Sequence, residues 1–257
     1  MPAAPVRARA IRAGAGAVEA LAAGGTGRAV AWFPKACYLE GPGGLIAAVS
    51  PGVHDGPLYL VLDRALTETE PGTAAAFSPD GVTSAEWTID AGRAELWAGA
   101  LPEPAAVRAA AAPIAEVAGE AAAASLLPRA GLDARPLVER DDLEAAAALL
   151  AGLGPGLTPS GDDVLGGTLF ARRALAGTAE EPRLAAIAES VRTNAVARAF
   201  LRWAARGQAL SPVHDLVGAA ARGDLDRARA AAGALVAVGE SSGADFALGL
   251  RWGIVRA

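Results

Sequence analysis

The apolar residues of this chain change their period near residue 104, and that change restricts the possible folds more than any other feature. Before it, short apolar or alternating runs at Arg28–Phe33, Gly44–Ser50, Leu58–Asp63 and Arg93–Ala98 are separated by Gly41-Pro42-Gly43, Pro51-Gly52, Gly56-Pro57 and Asp90-Ala91-Gly92. Runs of this length between turn formers predict β-strands, in an antiparallel sheet or small barrel. After it, alanine- and leucine-rich stretches carry charges at helical intervals, which predicts helices near 104–124, 141–152, 161–177, 181–206, 212–222, 224–238 and 243–255. Pro128 to Pro136 reads as the connector. The expected architecture is α+β, with a strand-rich domain over 1–102 and a mainly helical domain over 103–257.

Composition narrows the function. With 53% hydrophobic and 20% charged residues, the 257-residue chain has the make-up of a folded protein, with disorder expected only at its ends. A net charge of −5 gives no general attraction to nucleic acid or to an anionic membrane. Cys37 is the single cysteine, so no internal disulfide and no cysteine-based zinc site can form. Arg7, Arg9 and Arg12 are followed by alanine and glycine rather than a leucine-rich signal core, and no apolar run is long enough to span a bilayer. These features together predict a cytoplasmic location.

The densest candidate site is Gly154-Pro155-Gly156-Leu157-Thr158-Pro159-Ser160-Gly161-Asp162-Asp163, at the entrance of the helix expected over 161–177. Ser160 and Asp163 have the spacing of a capping box, and Asp162 and Asp163 complement the positive end of the helix dipole, a purely structural account of three residues. The glycines Gly154, Gly156, Gly161, Gly166 and Gly167 call for something more, because each weakens a helix or loop unless a partner approaches the backbone. That partner is either another helix or a ligand held by loop N–H groups.

A second segment echoes the first. Ser242-Gly243-Ala244-Asp245 with Gly249 repeats the pattern of Ser160-Gly161-Asp162-Asp163 with Gly167, and both follow a helical run ending in glycine, at Gly152 and Gly239. The two entrances are expected to face one cavity and to present Thr158, Ser160, Ser241, Ser242 and free N–H groups to a small anion. Asp162 and Asp163 would repel such an anion unless they turn away as caps or hold a bridging magnesium ion. Arg192, Thr193 and Asn194 lie on the 181–206 stretch, where Arg198, Arg202 and Arg206 recur every four residues as a solvated face or a source of positive charge. His54 and His214 lack a partner for general-base work and read as surface or capping residues, while Cys37 reads as buried and inert.

The segment Gly152–Asp163 with Gly166-Gly167 resembles the AllH-like family, which includes the AllH-type subunit of oxamate carbamoyltransferase. Gly239–Asp245 is similar to that family's C-terminal Ser-Gly element, and Asp55-Gly56-Pro57 to its N-terminal Asn-Gly-Pro, with Asp in place of Asn. Around Thr193 the family tends to carry further Thr and Ser residues where this chain has Asn194 and Ala197. The resemblance implies exchange of a carbamoyl group between oxamate and phosphate, with carbamoyl phosphate on one side, in late purine or allantoin breakdown, alongside two other subunits. On the reading of the two helix entrances as one anion site, catalytic roles are expected for Thr158, Ser160, Asp162 and Asp163. Substrate-binding roles fall to Gly154, Gly156, Gly161, Ser241, Ser242, Gly243, Asp245, Thr193 and Asn194. A non-catalytic accessory or metabolite-binding subunit is a second reading, and a metal-dependent hydrolase built on Asp162, Asp163 and Asp245 a third.

Overall fold

Alternation of small apolar and polar residues begins earlier than the turn signals, at Val6, and this first strand organises the N-terminal unit. The computed structural model describes residues 5–127 and 131–255. It divides into Met1–Ala98 and Gly99–Ala257. In the first unit, β1 (Val6–Gly14) buries Ala8, Ala10 and Ala13 while Arg7 and Arg9 face out, as period-two alternation requires. After the short helix α1 (Ala15–Ala22) come β2 (Gly25–Phe33), β3 (Ala36–Gly41), β4 (Gly44–Val49) and β5 (Tyr59–Leu62). They are followed by β6 (Ala74–Ser78), β7 (Gly81–Thr83), β8 (Trp87–Asp90) and β9 (Glu95–Trp97).

The strands run in the order β5-β4-β3-β2-β6-β7-β8-β1, and β1 also pairs with β5, which closes an eight-stranded barrel with β9 added beside β1. The small-barrel alternative is therefore the one formed. Its pairings are mixed: β4 with β5 and β1 with β8 are parallel. Closure leaves no free sheet edge in the ring, and its interior is filled by Leu39, Ile46, Leu60, Leu62, Phe77, Trp87 and Ile89. Trp87 satisfies its indole N–H on Thr69 Oγ1 at 3.0 Å. Cys37 is buried here as expected, and burial pushes its thiol up to about 11. The Asp55-Gly56-Pro57 turn lies against the start of α1, where Ala17 N donates to Pro57 O and Asp55 pairs with Arg12.

The second unit is helical: α2 (Pro104–Ala109), α3 (Ala111–Ala122), α4 (Arg135–Glu139), α5 (Leu143–Leu150), α6 (Ser160–Ala176), α7 (Glu181–Ser190), α8 (Ala195–Ala205), α9 (Ser211–Ala221), α10 (Leu225–Val236) and α11 (Ser242–Ile254). Two of the expected helices are broken. The 104–124 stretch turns at Ala110, which places Pro113 in the first turn of α3, where its missing N–H costs nothing. The 181–206 stretch stops at Ser190 and restarts after Asn194, whose side chain accepts from Ala197 N at 2.9 Å. Part of the expected connector, residues 128–130, lies outside the described residues, and its end is already helix α4. Helix α6 runs through the centre of the core, buried almost all round, with α11 packed along it. None of the described helices is long and apolar enough to cross a membrane.

Candidate functional site at the paired helix entrances

The glycines of the two echoing segments are used first for packing. A Cβ at Gly167 would lie 2.0 Å from Phe246 O, and one at Gly249 would lie 1.8 Å from Val164 O. Each glycine is the seventh residue after its serine, and each opposed carbonyl belongs to the fourth, so α6 and α11 cross reciprocally at backbone contact. The entrances match as well. Cβ atoms at Gly161 and Gly243 would strike Leu150 O and Leu235 O, near the ends of α5 and α10, and the two N–H groups donate to Leu153 O and Val238 O at 2.9 and 3.1 Å. The echo is thus a repeated piece of structure, and another helix backbone is the partner that Gly167 requires. Because Gly161 N and Gly243 N are bonded inside the protein, the expected row of free amides is shorter than the sequence implies.

Ser160 does not cap α6. Pro159 holds the cap position with φ −56° and ψ 142°, and Ser160 is the first helical residue, so the capping-box reading of Ser160 with Asp163 fails. The proline's fixed φ sets the entry of the chain one residue earlier than the serine spacing implies. Asp162 turns back instead: Oδ1 accepts from Gly152 N at 3.0 Å and Oδ2 from Thr193 Oγ1. Burial raises its carboxyl above the usual range, while the bonds from Thr193 and Gly152 oppose that rise. Thr193 therefore joins the site through Asp162, whereas Asn194 serves α8 as its cap.

The two entrances meet where Thr158 Oγ1 and Ser242 Oγ share a hydrogen bond of 3.0 Å. Beside them, Asp163 Oδ2 is buried and has no hydrogen-bond partner among the described residues. Burial raises the Asp163 carboxyl well above the usual range; a bond from Ser242 opposes this, and the nearby charges of Asp245 and Asp162 add to it. Asp245 is fully buried, with Oδ1 accepting from Ser125 Oγ and from Leu126 N at 3.1 Å. Thr158, Asp162, Asp163, Gly166, Phe200 and Phe246 line a hollow of about 20 Å³, which admits one water molecule or the terminal group of a ligand. Gly154 and Gly156, with φ of +112° and +89°, hold the exposed loop in a left-handed conformation that favours glycine. At Gly156 a side chain would meet open space, so packing does not explain that residue. Ser241 precedes α11 and accepts from Asp245 N through its carbonyl at 2.8 Å.

The arginine row has no common target. Arg198 donates to Val191 O and Thr193 O, Arg202 pairs with Glu189, and Arg206 lies 4.0 Å from the Trp203 ring centre. His214 is not a surface residue. It is buried edge-on to Phe170, accepts from Ala209 N through Nε2, and faces Ala100 O through Nδ1. Burial lowers its pKa to about 4, so the ring is neutral and donates from Nδ1. Among the described residues, no group of three or more His, Cys, Asp or Glu side chains could hold a metal ion. Both oxygens of Asp162 already accept hydrogen bonds within the protein.

Sequence reasoning missed Ser125 and Phe200, which lie far from both motifs in the chain and carry no local pattern of their own, and Phe246, which directly follows Asp245 of the second motif but reads there as an ordinary apolar helix position. It also missed a larger cleft of about 430 Å³ at the other end of α6, lined by residues that include Glu103, Arg173, Arg206 and Gln208. Gln208 is tied to the Gly99 backbone through both amide atoms, and Arg173 to Glu181.

No curated protein and no solved structure matches the chain. The segment that builds the site does match a family: residues 150–254, from the end of α5 to the end of α11, match the AllH family model, described as oxamate carbamoyltransferase subunit AllH.

Proposed function

We propose that this chain is a subunit of a carbamoyl-transferring enzyme, and that the meeting point of α6 and α11 receives one end of a small anionic substrate such as oxamate or carbamoyl phosphate. The observation that carries this reading is the Thr158–Ser242 hydrogen bond, which brings two helix entrances far apart in sequence to one hollow. Both helices direct the positive ends of their dipoles there, and both supply hydroxyl groups. Such groups stabilise charge on a phosphate or carboxylate without a covalent nucleophile, and transfer between pre-positioned substrates needs none. The family match over the same residues supports the reaction class.

The size of the hollow favours an incomplete site over a self-sufficient one. A volume of about 20 Å³ takes a terminal group and not a whole substrate, so the remainder would lie against the exposed Gly154–Gly156 loop and a partner subunit. Oxamate phosphorolysis should therefore appear when the chain is combined with its partner subunits and fall in Thr158→Val and Ser242→Ala. Full activity of the combined subunits, or undiminished oxamate and phosphate affinity, in both variants would remove the proposed site; activity that appears only with added partners and is indifferent to both substitutions would make the accessory reading the better one.

A further inference from the structure

Asp163 presents a difficulty for an anion site, because an ionised carboxylate beside the hollow would repel the ligand. Three features of its surroundings resolve this. First, Asp163 lines the hollow while its Oδ2 is buried and without a partner among the described residues, although the neighbouring hydroxyls of Thr158 and Ser242 are bonded to each other. An ionised oxygen in that position would be strongly destabilised, whereas a protonated one holds a donor ready for an acceptor. Second, the charged groups facing it are both negative, Asp162 on its own helix and Asp245 on α11. Third, cations on the helices packed against α6 are placed elsewhere: Arg198 of α8 bonds Val191 O and Thr193 O, Arg202 of α8 pairs with Glu189, Arg108 of α2 bonds Leu175 O, Arg183 of α7 pairs with Asp141 and Glu144, and the Arg251 guanidinium of α11 lies beside Gly119 of α3. Phe200, Leu201 and Phe246 give the same hollow apolar walls.

We infer that Asp163 is a neutral acid that donates a hydrogen bond from Oδ2 to an oxygen of the bound anion, so that it recognises the anion instead of repelling it. This inference rests on the anion-site reading above. The upward direction of the Asp163 carboxyl agrees with it. The proton stays on Asp163 throughout, and no bond is made or broken. Thr158 and Ser242 then act as hydroxyl partners to the same ligand group, and Asp162 remains a structural acceptor for Gly152 and Thr193.

The test uses the full chain with aspartate carboxyls labelled with carbon-13, together with affinity for oxamate and for inorganic phosphate across pH. The protonated carboxyl signal present at neutral pH should vanish in Asp163→Asn. Wild-type affinity should fall by up to about tenfold per pH unit once this acid titrates. Asp163→Asn keeps a donor and should bind with that slope removed, whereas Asp163→Leu should bind weakly at every pH while retaining a cooperative thermal transition. An Asp163 carboxyl ionised at neutral pH, or an unchanged slope in Asp163→Asn with binding intact, overturns this inference alone. Absence of oxamate and phosphate binding by the wild-type chain overturns the anion site and this inference together.

Discussion

The stretch from α4 to α6 and the stretch from α9 to α11 are two versions of one design, and their differences separate scaffold from site. In each, a helix ends in a left-handed residue, Asp141 with φ 61° or Gly223 with φ 79°, and the next residue caps the following helix, Asp142 on Ala145 N or Asp224 on Arg227 N. In each, the last helix enters on a glycine packed against a carbonyl and crosses the other copy through a second glycine. The first copy then departs. Its α5 has 8 residues against 12 in α10, and its loop into α6 is longer, carrying Gly154, Gly156 and Thr158. It also has Asp162 where α11 has Ala244. The shared glycines are therefore accounted for by packing, while Thr158 and Asp162, which only the first copy possesses, line the hollow.

The largest effect should come from breaking the shared part. Gly167→Ala and Gly249→Ala each force a methyl group into a carbonyl of the opposite helix and should destabilise the chain by about 3 kcal/mol in urea unfolding. A large cost for one and none for the other would show that the crossing is not reciprocal. Next in size is the response to pH, where the copies have opposite signs. His214 on α9 is neutral in the fold, so stability is present above its unfolded value near 6.5 and is lost as pH falls toward about 4, by about 3 kcal/mol in full. Asp162 and Asp163 on α6 are raised, so the stability they contribute is greatest below the ordinary aspartate range and is lost as pH rises through their folded values. Unfolding curves across pH should show His214→Gln reducing the acid loss and Asp163→Asn reducing the loss on the other side.

A smaller change sharpens the comparison by making the first entrance resemble the second. Asp162→Ala removes the acceptor for Gly152 N and Thr193 Oγ1 and should cost about 1–3 kcal/mol, with greater exposure of the Gly152–Thr158 amides in hydrogen exchange. No cost would mean that Asp162 is held for the ligand and not for the loop. The smallest effect should be stabilising: Gly233→Ala in α10 meets no neighbouring atom within 4 Å and should add about 0.5–1 kcal/mol, lengthening the contrast between α10 and α5.

Much of this organisation was legible locally. The strand runs at Arg28, Gly44, Leu58 and Arg93 and the helical intervals after Pro104 correspond to elements of the structure, since period and turn residues act over a few neighbours. The repeated Ser-Gly motif also pointed to two related entrances. Its chemistry was misread in part, because a serine three residues before an acid has the same spacing whether it caps a helix or stands as its first residue behind Pro159. The breaks at Ala110 and at Val191–Asn194 were hidden by helix-forming composition on both sides. His214 resembled a surface residue because its partners, Ala100, Ala209 and Phe170, are supplied by other parts of the chain.

By itself the order of residues determined where turns must fall, which stretches prefer strand or helix, and which positions needed glycine, all of which follow from backbone sterics and side-chain period. Only tertiary structure decided that β1 closes the barrel against β5 and β8, that Gly167 and Gly249 meet opposing carbonyls, and that Thr158 reaches Ser242. Those outcomes depend on contacts between segments distant in the chain. The upward shift of the Asp163 carboxyl belongs with them, because it follows first from burial and then from the nearby charges of Asp245 and Asp162.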